Sequence, residues 1–293
     1  MFTQILKLIR IPQWIKNFFV FVPLVFSLNL FKGDYFLTSF TGFLAFCLTS
    51  GIVYIINDIA DVEADRAHPK KKNRPIASGR ISPGQGIVIS IIFAGGVAGL
   101  CLNVSTSFIF LLMLFFLINV LYSIKLKHMV LLDIFSIAAG FLIRVLAGAV
   151  IISVTISSWL VLTTMFISLF LAVMKRHSEL EILTENSNVE TRKVLAFYSL
   201  NFADQLATVA AAGVIICYAL YTVSERTISV FNTENLIYTT PFVVFGIFRY
   251  MYLVYMNKQG ENTTQILLTD LQLMVTVILY GTVTLLIIYG ALN

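Results

Sequence analysis

From Tyr54 to Arg80 the chain reads YIINDIADVEADRAHPKKKNRPIASGR, its densest run of charge, set between two long apolar runs. If the apolar helix before it continues, Asn57, Asp61 and Asp65 fall at i, i+4 and i+8, with Asp58 three residues before Asp61. Four oxygen ligands then share one helical face. Carboxylates crowded together repel one another, so that face is costly unless a cation lies among them. Hard oxygen donors suit Mg2+, which binds through one or two carboxylates and leaves its other positions to water and substrate phosphates. Asn57, Asp58, Asp61 and Asp65 are therefore the candidate metal ligands, while Glu63 points away. Eight residues after Asp61 the sign of the charge flips, through Pro69, Lys70, Lys71, Lys72 and Arg74 to the turn Ser78-Gly79-Arg80. Acid with metal, placed beside base, is a way to grip a diphosphate. The bland alternative is a solvated helix end followed by a positive loop.

The elements that position this stretch are membrane helices. Of 293 residues, 58% are hydrophobic and 12% charged, and soluble domains carry about twice that charge. Apolar runs long enough to span a bilayer lie near 11–31, 35–56, 86–103, 105–122, 131–152, 156–174, 195–223, 236–256 and 266–292, which predicts an all-α polytopic protein of about nine transmembrane helices. The first run is short and carries Lys16, so it is expected to begin as a surface helix. A single domain over 1–293 is expected, with the acidic-basic loop at about 57–85. No small-residue cleavage site follows an apolar core, so no signal peptide is expected. With the N-terminus in the cytoplasm, 16 of the 20 Lys and Arg fall on the inner side; Lys32 and Arg226 fall outside, and Arg144 and Arg249 lie within spans. That asymmetry predicts a multi-pass inner-membrane protein with its N-terminus and polar pocket facing the cytoplasm. The net charge of +5 is then a topology signal, and no nucleic-acid groove is expected. Cys47, Cys101 and Cys217 lie in separate apolar runs and read as free packing thiols.

Further polar residues gather toward the same side. In Arg10-Ile-Pro-Gln-Trp-Ile-Lys-Asn17, Trp14 and Lys16 suit the membrane interface; alternatively Lys16 and Asn17 meet a phosphate arriving from the lipid. A second cluster, Tyr122-Ser-Ile-Lys-Leu-Lys127-His128, precedes Asp133. Lys125 or Lys127 is a candidate phosphate ligand, and Asp133 a candidate for a second metal or a donor hydroxyl. Arg144 lies about three turns into its span and needs a polar cavity or a partner. It shares a stripe with Asp133, Ile137, Gly140 and Gly148 that is expected to line a cavity wall. Lys175 and Glu179 form an i, i+4 pair, explained equally by a plain helical ion pair or by catalysis. Asp204, Arg249 and Asp270 are the remaining intramembrane or membrane-edge charges.

No Ser-His-Asp, Cys-His, zinc or glycine-rich dinucleotide pattern competes with this arrangement. It points to transfer of a group from a pyrophosphorylated donor to an acceptor, one partner being a membrane lipid.

Asn57-Asp58-x-x-Asp61-x-x-x-Asp65 after the second of nine runs resembles the signature of the UbiA superfamily of intramembrane prenyltransferases, and the likeness covers nearly the whole chain. Within it the sequence is similar to the decaprenyl-phosphate phosphoribosyltransferase branch. The likeness rests on Pro12-Gln-Trp-x-Lys16-Asn17, Asp65-Arg66-x-His68-Pro, Arg74-Pro-Ile-Ala-x-Gly79, Tyr122-Ser-x-x-Leu-Lys127 with Asp133, and Gly140-Phe-x-x-Arg144 with Gly148. Lys175-Arg176-x-x-Glu179 and Arg249-Tyr250 with Asp270 complete it. Quinone and haem prenyltransferases usually carry a second DxxxD motif, absent after Asp133, which argues against a prenyl diphosphate donor. The resemblance implies a UbiA-like bundle and Mg2+-dependent transfer of 5-phosphoribose from 5-phosphoribosyl-1-diphosphate to a polyprenyl phosphate. It implies Asp58, Asp61, Asp65 and Lys127 in catalysis. It implies substrate contacts from Lys16, Asn17, Lys70, Lys72, Arg74, Tyr122, Asp133, Arg144, Lys175 and Arg249, and it leaves room for a homo-oligomer. Two alternatives stay open: prenyl transfer from a polyprenyl diphosphate to an aromatic acceptor, and a membrane transporter without chemistry.

Overall fold

The structure, a computed structural model, describes residues 2–67, 71–185, 193–257, 266 and 269–290. Every regular element among them is helical. Long helices follow one another as α1 Gly33–Ala60, α2 Pro83–Leu100, α3 Thr106–Ile124, α4 Leu132–Ile151, α5 Ser158–Glu185, α6 Leu200–Val223, α7 Thr240–Tyr255 and α8 Leu271–Ile288. With the short 3-10 turn Asn235–Thr239 leading into α7, 8 segments are long and apolar enough to cross a membrane. Their starts are written in polar residues. Ser82 and Gln85 close a capping box on α2 with Pro83 in its first turn, and Ser105, Ser199 and Asp270 accept backbone N–H groups at the heads of α3, α6 and α8.

The ninth expected run takes another form. A 3-10 helix, Ile11–Phe21, passes into a short α-helix, Val22–Phe26. Arg10 enters it in the left-handed region at φ 53, Pro12 sits in its first turn, and Leu28 at φ 60 turns the chain out. A 3-10 helix rises about 2 Å per residue, so Ile11–Phe26 covers about 30 Å, the thickness of a hydrocarbon core. Fewer residues reach as far because they are wound more tightly. Before it, Phe2–Leu8 forms a separate short helix with Leu8 buried.

The chain packs as two compact units. Unit 1 comprises the described residues through Leu24, within Asn29–Lys127, and Ile143–Thr155. In it α1 packs on α2, on α3 and on the 3-10 segment. Phe46, Phe108 and Phe115 form its aromatic centre, with Val20, Leu24, Ile143 and Ala147 around them. A smaller cluster of Leu8, Ile9, Ile55, Ile76 and Ile81 underlies the polar stretch. The outer faces of α2 and α3 expose Ile91, Ile92, Phe110 and Met113, as lipid-facing helices do.

Unit 2 comprises Val25–Leu28, His128–Leu142 and the described residues from Ile156 on. Its main contact is α5 against α6, where Ala203, Ala207, Ala210 and Ala211 are buried and Gly213 lies against the Phe166 ring. Small residues let the two backbones approach closely.

One glycine of unit 1 marks a tighter approach. A Cβ on Gly148 would stand 2.1 Å from the Val20 carbonyl oxygen. The stripe Asp133, Ile137, Gly140, Arg144, Gly148 was expected to line a cavity; at Gly148 it is a backbone-to-backbone contact instead, because a residue without a side chain lets the 3-10 segment close on α4. Backbone cannot step aside as a side chain can, so Gly148→Ala is expected to destabilise the purified protein by about 2 kcal/mol. Gly95→Ala, with nothing within 4 Å, serves as the neutral control. Melting followed by size-exclusion chromatography in detergent measures both.

Candidate active site

The helix that carries the aspartates does not run through them. α1 stops at Ala60, Asp61 sits at φ −98 and ψ 12, and a new helix runs Val62–Ala67. The backbone bonds Asp61 N–H to Asn57 O (2.9 Å) and Asp65 N–H to Asp61 O (2.8 Å) keep i, i+4 spacing on both sides of the break. The break corrects the expectation of one continuous face. Asp is a poor interior helix former, and once out of helical geometry Asp61 turns to Lys127, whose Nζ lies 3.3 Å from its carboxylate. Asp61 keeps 34% of its side chain exposed, whereas Asp58 and Asp65 are buried.

A tight turn brings the positive charge to them. Ser78 N–H donates to Arg74 O, Gly79 N–H to Ile76 O and Ile81 N–H to Pro75 O, with Gly79 at φ 74, where a side chain would be strained. The turn returns Ile76 and Ile81 to the apolar cluster and leaves Arg74 facing outward from it. Arg66 Nε, donating to Ala77 O at 3.2 Å, ties the turn to Val62–Ala67. Arg74 Nη1 then lies 3.2 Å from Asp58 Oδ1 and 2.6 Å from Asp65 Oδ2. Arg10 completes the set from the N-terminus, donating to Asp58 Oδ1 at 2.5 Å with its guanidinium 4.7 Å from the Tyr54 ring centre. Two buried carboxylates are matched by two guanidinium groups.

This arrangement also tests the fit to a metal ion. A single cationic nitrogen, Arg74 Nη1, already bridges oxygens of Asp58 and Asp65, so the two carboxylates converge on one point of positive charge. Both are hard oxygen donors. Among the described residues no three His, Cys, Asp or Glu side chains converge as a protein-only cage. Mg2+ held by one or two carboxylates and substrate phosphates fits such a donor set. Asn57 is half-buried one turn before Asp61, to which it is tied through its backbone carbonyl.

Other expected site residues of unit 1 are placed differently. Asn17 is buried and turned inward, its amide nitrogen toward Cys47 Sγ at 3.2 Å and its oxygen accepting from Arg144 Nε at 2.7 Å. Arg144 also lies over Phe115 at 4.4 Å. A guanidinium inside a span thus has a hydrogen-bonding amide and an aromatic face beside it. Lys16 and Tyr122 are half-buried, and Lys72 is exposed. Lys70 lies outside the described residues, as do His68 and Pro69. Trp14 donates from its indole to Ile9 O at 3.3 Å, an anchor for the entry of the 3-10 segment.

Unit 2 carries its own polar groups. Asp133 is fully buried, accepting a hydrogen bond from Tyr198 at 2.8 Å and facing Arg176 Nε at 3.4 Å. Burial above all, and also the bond given to Asp133, push the Tyr198 phenol well above its ordinary value, so it remains a neutral donor. Glu179, expected opposite Lys175, is bonded by Arg176 at i, i+3. Asp204 has His177 Nε2 at 3.2 Å. Arg249 holds Asp270 with two bonds of 3.1 and 2.7 Å. That grip depresses the Asp270 carboxyl below its ordinary value; the stability it adds is present at neutral pH and lost as pH falls through the lowered value.

Arg10 and Arg176 are the two site-forming residues that the reading of the chain left without a role. Their signal was faint: Arg10 precedes a Pro-Gln-Trp run at the membrane interface, and Arg176 was masked by the more regular Lys175, Glu179 spacing.

A polar cluster of paired carboxylates and guanidinium groups, set where a long apolar helix breaks in an all-helical chain, defines a polytopic membrane protein with a charged site at a helix end. Residues 20–269 match the UbiA prenyltransferase family, and the chain belongs to that family; it is an integral membrane transferase. It is similar to the decaprenyl-phosphate phosphoribosyltransferase of Mycolicibacterium smegmatis, 34% identical over 229 residues, covering 76% of this chain and 71% of that protein. The protein of the same name from Mycobacterium tuberculosis is 32% identical over 223 residues, 74% of this chain and 73% of that one. In structure it resembles a UbiA homolog from Archaeoglobus fulgidus bound to DMAPP and Mg2+, with a TM-score of 0.73 at 16% identity over 98% of this chain and 99% of that one.

Removing one member of a buried ion pair leaves a charge without compensation, at a cost of about 3–5 kcal/mol. Arg74→Ala is therefore expected to lower the melting temperature more than Lys127→Ala, whose partner Asp61 reaches solvent. Adding Asp65→Asn to Arg74→Ala should restore part of the loss, and thermal melting of the three variants in detergent measures the order.

Proposed function

We propose that this transferase moves 5-phosphoribose from 5-phosphoribosyl-1-diphosphate to the phosphate of a polyprenyl, decaprenyl-like lipid, releasing diphosphate. The observation that carries the reading is the Arg10, Asp58, Arg74, Asp65 network: two buried carboxylates already converging on a cation, with further cations beside them. The named activity of the mycobacterial relatives supports the choice of donor and acceptor. Asp58 and Asp65, with Asp61 and Asn57 next to them, would hold Mg2+, which when bound neutralises charge developing on the departing diphosphate.

The chain's own residues do the rest. Arg10 and Arg74 exchange a carboxylate for phosphate oxygens, a swap between anions that leaves both guanidinium groups paired. Lys72, Lys127 and Lys70 supply further positive charge along the donor, and Tyr122 is the remaining candidate in unit 1 for a contact to its ribose or 5-phosphate; Asp133, sealed against Tyr198 and Arg176, is not a substrate contact. Since Asn17 and Arg144 are buried against each other, the half-buried Lys16 is the remaining candidate for positioning the lipid phosphate. One of its oxygens forms a bond to the anomeric carbon as the bond from that carbon to the diphosphate oxygen breaks, with inversion through an oxocarbenium-like state. The nucleophile is already an anion and needs no strong base. The charge bias of the connections supports a cell-membrane location with the site on the cytoplasmic side, and the product would feed cell-envelope glycan synthesis.

Purified protein with Mg2+, labelled phosphoribosyl diphosphate and polyprenyl phosphate should move label into the organic phase, and EDTA should abolish it. Asp58→Asn should lower turnover at least about 100-fold, the scale set by removing one stabilising group from the transition state. An unlabelled lipid, together with prenyl transfer from a polyprenyl diphosphate to an aromatic acid, would replace this reading with the aromatic prenyltransferase.

A further inference from the structure

Arg10 reaches the acidic pair from a backbone that is pinned on both sides. Its N–H donates to Lys7 O at 3.2 Å, its carbonyl accepts from Gln13 N–H at 2.7 Å, and the Trp14 indole holds the carbonyl of Ile9 just before it. Leu8 and Ile9 are buried against Ile55, Ile76 and Ile81. Between these fastenings Arg10 lies at φ 53 and ψ 53, a left-handed conformation that a residue with a side chain adopts at a cost. What this root delivers is the guanidinium, which donates to Asp58 Oδ1 at 2.5 Å and stands over the Tyr54 ring, 4.7 Å from its centre. Tyr54 and Asp58 are i, i+4 on α1, so ring and carboxylate lie one turn apart on one face. Arg10 covers both, and all of these residues belong to unit 1.

The two contacts have different fates in the reaction proposed above. Asp58 is a candidate metal ligand, and a carboxylate that turns to Mg2+ gives up its arginine. The face of the Tyr54 ring takes no part in that exchange, so its attraction for the guanidinium persists. Without the ring, Arg10 would hang from its root by a stem of rotatable bonds, with 26% of its side chain already exposed. Diphosphate would then have to order it on binding, which weakens the binding. We infer that Tyr54 is a positioning residue for the diphosphate: its π face holds Arg10 in place once Asp58 has turned away, so that the guanidinium meets the phosphate oxygens already oriented. The role belongs to the ring and not to the phenol hydroxyl, and it rests on the reading given under Proposed function.

This contact has a signature that plain packing lacks. Replacing Tyr54 by phenylalanine, and then by phenylalanine carrying one, two or three ring fluorines, nearly keeps the shape while draining negative potential from the ring face. Calorimetric titration of the purified protein in detergent with inorganic diphosphate, in saturating Mg2+, reads the consequence. Tyr54→Phe should bind within about two-fold of the wild type, and Kd should climb with each fluorine to about five-fold weaker, with Tyr54→Leu at least as weak. Melting temperature without ligand should fall along the same series and stay level along it in Arg10→Gln, where the ring has no cation to hold. A Kd that stays level along the fluorinated series, a Tyr54→Phe protein as weak as Tyr54→Leu, or a fluorine dependence of melting that persists in Arg10→Gln would each overturn the role. A wild type that binds no diphosphate overturns the reading of the site and this role with it; a wild type that binds diphosphate while the series stays level overturns the role alone.

Discussion

Burying a carboxylate inside a membrane protein is the constraint on which the rest of unit 1 depends. Asp58 and Asp65 are both out of solvent, and an unpaired carboxylate there would cost several kcal/mol. Each must be met by positive charge delivered from elsewhere in the chain. Arg10 comes from the residues before the first membrane segment, and Arg74 from a turn nine residues beyond Asp65. The pairing links three stretches of sequence through charge where apolar packing alone would not specify their register.

Local structure then follows from the need to deliver those two arginines. Gly79 closes the turn that aims Arg74 while Ile76 and Ile81 fasten it to the apolar cluster of Leu8, Ile9 and Ile55. The left-handed Arg10 turns the chain from the helix Phe2–Leu8 into the 3-10 segment, and that segment closes on α4 at Gly148. The same segment carries Asn17, which holds Arg144. The polar groups of the site and the aromatic centre of Phe46, Phe108 and Phe115 are thus tied to one stretched helix.

Much of this was legible in residue order. Long apolar runs announce their helices because membrane burial leaves the backbone no other way to satisfy its hydrogen bonds. The grouping of Asp58, Asp61, Asp65, Arg74 and Lys127 was legible because charge so dense between apolar runs has few other uses. The break at Asp61 was not, since i, i+4 spacing survives across it and the partner Asp61 faces there, Lys127, lies 66 residues away in the chain. Nor was the 3-10 form of Ile11–Phe21, because its apolar composition suits either helix. Arg10 and Arg176 act through partners distant in the chain, Asp58 and Asp133, and no local spacing announces such pairs.

The central claim is that Asp58 and Asp65 trade arginines for a divalent ion when a diphosphate supplies the arginines with new partners. Mn2+ binding, followed by electron paramagnetic resonance on the protein in detergent with and without inorganic diphosphate, tests it most directly. The account expects weak Mn2+ binding alone, much tighter binding with diphosphate, and loss of the tight state in Asp58→Asn and Asp65→Asn. Equal Mn2+ affinity with and without diphosphate, or tight binding that survives both substitutions, would contradict it.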